Sequence, residues 1–131
     1  MNILLAEDMP EMASLLCETL VTTYAALNIV WRQNGQYALE EFVKRQEIDE
    51  GMIYDCVITD MQMPIMNGVE FALAVKKISD TPIFLWSGNQ HLELREDLFV
   101  RILVKDNLRF WTDEFADYCE DLIGDFDLNK C

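Results

Sequence analysis

Cys56, Val57, Ile58 and Thr59 stand in a row with no charge among them, and the run closes on an acid, Asp60. Three of the four are β-branched, and the run has no inward–outward alternation. It therefore suits a strand buried on both faces, as in a parallel sheet covered by helices. Beyond Asp60 the chain reads Met61-Gln62-Met63-Pro64-Ile65-Met66-Asn67-Gly68, with a proline and an Asn-Gly pair as turn signals. An acid at the C-terminal end of a buried strand points into the crevice where open α/β sheets bind ligands. The plainer reading of Asp60 is that it ends a strand or caps the helix starting near Gly68.

The rest of the chain repeats this pattern. Ile3 to Ala6 is a short apolar run that ends in Glu7-Asp8, and Pro10 follows at a position suited to a helix's first turn. Met12, Leu15, Leu16, Thr19, Leu20 and Thr23 then keep helical spacing. Asn28 to Arg32 reads as a strand, and Asn34-Gly35 as a turn before a helix with Ala38, Leu39 and Phe42 on one face. The charged stretch from Lys44 to Met52 is a helix end and loop with no evident chemistry. Val69 to Ile78, with Ala72, Val75 and Ile78, is another helix, broken by Asp80-Thr81-Pro82. Ile83 to Trp86 is a fourth strand ending at Ser87-Gly88, and Val100 to Val104 a fifth ending at Lys105. Trp111, Phe115, Cys119, Leu122 and Phe126 mark a last helix, with Thr112 at its N-cap. Strands and helices alternating at these distances predict an α/β fold: a doubly wound, five-stranded parallel sheet with helices on both faces. With 131 residues there is room for one domain, expected over residues 1–128 with a tail at 129–131.

Charge narrows the function. With 24 acids against 10 Lys and Arg, the net charge of −14 disfavours nucleic acid and anionic lipid as direct partners. Cys17, Cys56, Cys119 and Cys131 are far apart and, with the single His91, make no zinc pattern. Cys17 and Cys56, in apolar runs, read as buried thiols. The N-terminal residues lack the basic flank of a signal peptide, and no apolar stretch is long enough to insert in a membrane. A reducing, cytoplasmic location is the expectation.

Four strand runs end in polar groups: Glu7-Asp8, Asp60, Ser87 and Lys105. In a parallel sheet all C-terminal strand ends share one rim, so these groups can converge. A carboxylate can attack a phosphoryl donor to give an acyl phosphate. Since the incoming group is anionic, a cluster of acids needs a divalent cation, and Mg²⁺ takes carboxylate and carbonyl oxygens. Asp8, Asp60 and the backbone carbonyl of Gln62 would be its ligands, with Glu7 in or beside the set. Lys105 and the Ser87 hydroxyl would hold phosphate oxygens. Each residue also has a plainer role: Asp8 as a helix cap, Glu7 as a solvated acid, Ser87-Gly88 as a turn, Lys105 in a surface ion pair with Asp106.

The run Asp60-Met-Gln-Met-Pro64-Ile-Met-Asn67-Gly68 resembles the phosphoacceptor loop of response-regulator receiver domains, and the resemblance extends over essentially the whole chain. The family's acidic pair falls on Glu7-Asp8, its phosphoacceptor on Asp60, its hydroxyl on Ser87 and its lysine on Lys105. The resemblance implies a flavodoxin-like receiver fold. It also implies a signalling domain rather than an enzyme, phosphorylated on Asp60 with Mg²⁺ by a histidine kinase or histidine phosphotransfer protein and acting on an unknown downstream protein. Within the 131 residues no effector segment follows the last helix.

The chain departs from the family in three places. Asp106 stands where receivers usually have a cis proline, so the Lys105–Asp106 peptide is expected trans. Ile102 stands where a Tyr or Phe often reports phosphorylation. The stretch between Ser87 and Lys105 is short, and Leu92, Leu94 and Leu98 fit no long helix, so the fourth helix is expected short or irregular. One rival reading is a degenerate receiver that binds proteins without phosphorylation. A haloacid-dehalogenase-type phosphatase would need a second acid where Gln62 stands. A flavodoxin-type cofactor carrier would need a Ser/Thr/Gly-rich loop in place of Glu7-Asp8. Finally, seven acids and no base lie between Trp111 and Asp127. Among them Asp113, Asp117 and Asp121 mark either a solvated face or a surface that steers a basic partner.

Overall fold

The computed structural model describes residues 1–23, 27–48, 54–88, 97–104 and 115. Five parallel strands form one sheet: β1 (Asn2–Ala6), β2 (Asn28–Arg32), β3 (Cys56–Asp60), β4 (Ile83–Ser87) and β5 (Arg101–Val104). Their order is β2-β1-β3-β4-β5, which places the uncharged run of β3 in the middle. All five residues of β3 are buried, as are all five of β4. The connecting helices are α1 (Pro10–Thr23), α2 (Gly35–Ile48) and α3 (Gly68–Ile78). Among the described residues no helix is long and apolar enough to cross a membrane.

Side chains alternate across the sheet and divide the interior into two cores. Ile3, Leu5, Cys56, Ile58, Phe84, Trp86 and Leu103 meet Ala13, Leu16 and Leu20 of α1 on one side. Phe115 joins this core, edge-on to Phe84 with ring centroids 5.1 Å apart. Leu4, Ala6, Val57, Ile83 and Leu85 meet Ala38 and Phe42 of α2 and Phe71, Ala72 and Val75 of α3 on the other. Phe42, Phe71 and Phe84 are all at most 1% exposed, and burial of each is worth about 1.5–3 kcal/mol.

Several local readings shift. The inward stripe of α1 is Ala13, Leu16 and Leu20, while Leu15 is 43% exposed. Adjacent leucines leave the phase of a helix open, and the small Ala13 settles it by allowing close approach to the sheet. In α3, Phe71 faces inward and Ile78 is 47% exposed. Cys56 is buried, whereas Cys17 is half-buried, with burial pushing its thiol pKa up. β5 begins at Arg101, one residue later than expected, although Val100 N–H still donates to the Ile83 carbonyl at 2.9 Å. The expected fourth helix, in the stretch before Leu98, and the last helix apart from Phe115 lie outside the described residues. Leu98 and Phe99, just ahead of β5, are buried in the second core.

Glu41, just ahead of the charged stretch that begins at Lys44, anchors α2 and draws Arg45 of that stretch into its network. Glu41 accepts from Arg32 Nη2 at 3.0 Å, from the Tyr54 hydroxyl at 2.7 Å and from Arg45 Nε at 3.4 Å. This ties α2 to the end of β2 and to the residue that leads into β3. Tyr54 also stacks on Phe42, with centroids 6.2 Å apart, and lies under the Arg45 guanidinium at 5.7 Å. Burial raises the Glu41 carboxyl, but the Tyr54 hydrogen bond and the two arginines outweigh it and leave the group below the usual range. Burial first, then the hydrogen bond to Glu41 and its charge, push the Tyr54 phenol well above its ordinary value.

The folded chain thus holds the Tyr54 proton more tightly than the unfolded chain does. That contribution is present in full below the ordinary tyrosine range and is lost as pH rises above about 10. Tyr54→Phe should lower stability at neutral pH by about 1–3 kcal/mol. Urea unfolding of both proteins at neutral and alkaline pH checks this: the gap between them should narrow on the alkaline side.

Candidate functional site

The pairing of β1 with β3 sets Ala6 opposite Thr59, so Glu7 and Asp60 come next at the same level. Period two continues Ile3, Leu5, Glu7 on one strand and Cys56, Ile58, Asp60 on the other, which puts both acids on the α1 side. Carboxylate oxygens of Glu7, Asp8 and Asp60 all lie within 4.8 Å of one another. Glu7 is fully buried and Asp60 is 9% exposed, while Asp8 is half-buried.

Backbone contacts hold each of the two buried acids. Glu7 N–H donates to the Arg32 carbonyl at 3.1 Å, and the Glu7 carbonyl accepts from Trp31 Nε1 at 2.7 Å. Both main-chain groups of Glu7 are therefore tied to the end of β2. Sequence gives no signal for the part Trp31 plays, since nothing local distinguishes a tryptophan that packs from one that also donates. At Asp60, Met61 N–H donates to Oδ1 at 2.8 Å and sets the rotation of the carboxylate.

The loop after Asp60 is gripped at both ends. Gly68 N–H donates to the Met61 carbonyl at 2.8 Å, and a Cβ on Gly68 would collide with the Asp60 carbonyl oxygen. A Cβ on Gly35, at the start of α2, would come within 2.5 Å of the Met66 carbonyl. Asn67 caps α3 by a reciprocal box: its Oδ1 accepts from Glu70 N–H at 2.9 Å, and Glu70 Oε1 accepts from Asn67 N–H at 3.4 Å. Between these anchors Met66 N–H donates to the Pro64 carbonyl at 2.8 Å, closing a γ-turn with Ile65 at φ 72°. The left-handed residue is thus the β-branched Ile65 and not Asn67, whose φ is −78°. A γ-turn of this hand is strained, at about 1–3 kcal/mol. A β-branched residue does not announce such a turn in the sequence.

Ser87 ends β4, one position beyond Trp86, the partner of Asp60 across the sheet. It is 6% exposed and pairs with Val104 of β5. Gln62 is exposed, two residues past Asp60. Ile102 is half-buried against the second core. Among the described residues there is no cis peptide. Lys105, Asp106, Asp113, Asp117 and Asp121 lie outside the described residues.

The donor set suits a small, hard divalent cation. Two oxygens bound to one Mg²⁺ at about 2.1 Å lie at most about 4.2 Å apart. The carboxylates, at up to 4.8 Å, need only a small inward adjustment to share an ion. Three acids at this range, two of them buried, concentrate negative charge that a cation offsets.

A family model, the response regulator receiver domain, matches residues 3–105. A hybrid signal transduction histidine kinase of Dictyostelium discoideum is 33% identical over 77 residues, 59% of this chain. The chain spans only 4% of that protein's length. The response regulator TrrA of Thermotoga maritima, solved in complex with Mg²⁺–BeF, is 31% identical, with a TM-score of 0.70 over 92% of this chain and 97% of that one. The response regulator domain of CheB, also from T. maritima, shares the fold at a TM-score of 0.73 and 14% identity, covering 97% of this chain and 98% of that one.

The two glycines on the loop side and rim make a paired test. Gly68→Ala should destabilise by about 1–3 kcal/mol through overpacking on Asp60, despite alanine's better helix propensity. A Cβ on Gly88 would meet nothing within 4 Å, so Gly88→Ala should fall within about 0.5 kcal/mol of the parent. Thermal melts of the two variants give the comparison.

Proposed function

Because this chain belongs to the response regulator receiver domain family, we propose that it receives a phosphoryl group on Asp60 and passes the signal through a protein-binding surface. Receiver domains are signalling domains rather than turnover enzymes. The observation that carries the reading is the meeting of the Glu7, Asp8 and Asp60 carboxylates at the ends of β1 and β3. In this reading the Asp60 carboxylate oxygen attacks the phosphorus of a phosphohistidine on a histidine kinase or phosphotransfer protein. The new O–P bond gives an acyl phosphate, the P–N bond breaks, and the imidazole leaves with its electron pair and takes up a proton. Met61 N–H holds the carboxylate in one rotation for the attack.

Asp8, Asp60 and the Gln62 carbonyl are the proposed Mg²⁺ ligands, with Glu7 beside them. When bound, the ion offsets the charge shared by the acids and the phosphoryl oxygens. The Ser87 hydroxyl donates to one phosphoryl oxygen and Lys105 pairs with another. A dianion arriving at this rim changes the local charge, and the neighbouring loops respond.

Incubation with acetyl phosphate and Mg²⁺, followed by intact mass and mapping of the adduct, tests the assignment. The label should fall on Asp60, vanish in Asp60→Asn and persist in Ser87→Ala without the conformational response. Mg²⁺ should alter tryptophan fluorescence in the parent and not in Asp8→Ala. Absence of any label would return the chain to a phosphorylation-independent binding module.

The acidic stretch bearing Asp113, Asp117 and Asp121 is proposed to steer a basic partner. Charge reversal at Asp117 and Asp121 should slow association far more than it speeds dissociation, and rising salt should erase the difference. Stopped-flow kinetics with the cognate phosphodonor measures both.

A further inference from the structure

The face of the molecule formed by α2 and α3 differs from the rest in charge. The two helices carry four acids, Glu40, Glu41, Glu47 and Glu70, and four bases, Lys44, Arg45, Lys76 and Lys77. The chain's net −14 therefore arises wholly outside them. Two copies of this protein repel through their net charge, and this face is where close approach adds nothing further to that repulsion.

The same face is apolar in its middle. Leu39 and Val43 of α2 and Leu73, Ala74 and Ile78 of α3 line an open groove of about 480 Å³. Leu73 is 41% exposed and Ile78 47%. Around α3, Phe71, Ala72 and Val75 point into the core. At 100° per residue, Glu70, Leu73, Ala74 and Lys77 form a stripe on the opposite side.

That stripe is self-complementary. Glu70 and Lys77 are seven residues apart, about 10.5 Å along the axis, and Leu73 and Ala74 lie midway between them. When two α3 helices lie antiparallel about a twofold axis through Leu73 and Ala74, Glu70 of each copy meets Lys77 of the other. Both contacts are opposite in charge, as an isologous pairing requires. The capping contact of Glu70 uses only Oε1.

We propose that the α2–α3 face is a self-association surface, and that its occupant is a second copy of this chain held by antiparallel α3 pairing. The contact is small, so the dimer is weak and salt-sensitive.

Sedimentation of the full chain at physiological ionic strength, where the long-range repulsion is screened and close ion pairs persist, tests it with and without charge changes. The parent's mass should rise from 15.3 kDa towards twice that value as concentration approaches about 1 mM. Glu70→Lys and Lys77→Glu should each be monomeric, because each sets like charges at both contacts. An equimolar mixture of the two should dimerise again, because both contacts then become opposite. Leu73→Lys, which sets two like charges on the axis and leaves the cap intact, should also be monomeric. Circular dichroism confirms that each variant is folded. A parent that stays monomeric, single variants that dimerise like the parent, or a mixture of folded variants that fails to associate would each overturn the proposal. If Glu70→Lys does not fold, dimerisation of Leu73→Lys as strong as the parent's overturns it alone.

Discussion

The pairing of β1 with β3 is the contact on which the rest of the site depends. Ala6 opposite Thr59 brings Glu7 level with Asp60, and the two-residue period then sends both acids to the same side of the sheet. A slip of one residue would turn Asp60 towards the α2–α3 core, on the side of Leu85 and Phe71, where the surroundings are apolar. The register is held by burial on both faces: Leu4 and Val57 face one core, Leu5 and Ile58 the other. A slip would mismatch both helix layers as well as bury Asp60 in the apolar core, so packing shape and that desolvation cost together keep the strands in step.

The parts of this arrangement that were legible in the sequence are those with a period or a sharp boundary. The uncharged run ending at Asp60 announced a central strand and placed the acid at its end. The apolar runs after Pro82 and before Glu7 did the same for their strands. Where two apolar residues adjoin, as at Leu15-Leu16, the helical phase stayed ambiguous until the sheet supplied a surface to fit. Residues whose role comes from distant partners left no local mark. Glu41 looks like any helix glutamate, Trp31 like any strand aromatic and Ile65 like an ordinary loop residue, since the groups that define them arrive from elsewhere in the chain.

Rigid anchoring and local strain sit side by side in the loop after Asp60. Glycines at 35 and 68 let two helix starts press against it, and the cap at Asn67 fixes where α3 begins. Between these held ends Ile65 takes a positive φ, in the turn closed by Met66 N–H on the Pro64 carbonyl. The strain lies in the loop that follows Asp60 rather than in either core.

The order of the chain has a kinetic consequence during synthesis. Glu7, Asp8 and Asp60, and the three strands β1, β2 and β3, all belong to the first 60 residues. Ser87, on β4, leaves the ribosome about 1–5 s later at ordinary elongation rates. The three acids and the strands that carry them are therefore complete in the nascent chain before β4, the neighbour that covers the second edge of β3. An ion held by these three acids would favour the folded chain over the unfolded one by mass action, so its concentration would also set the stability of the fold.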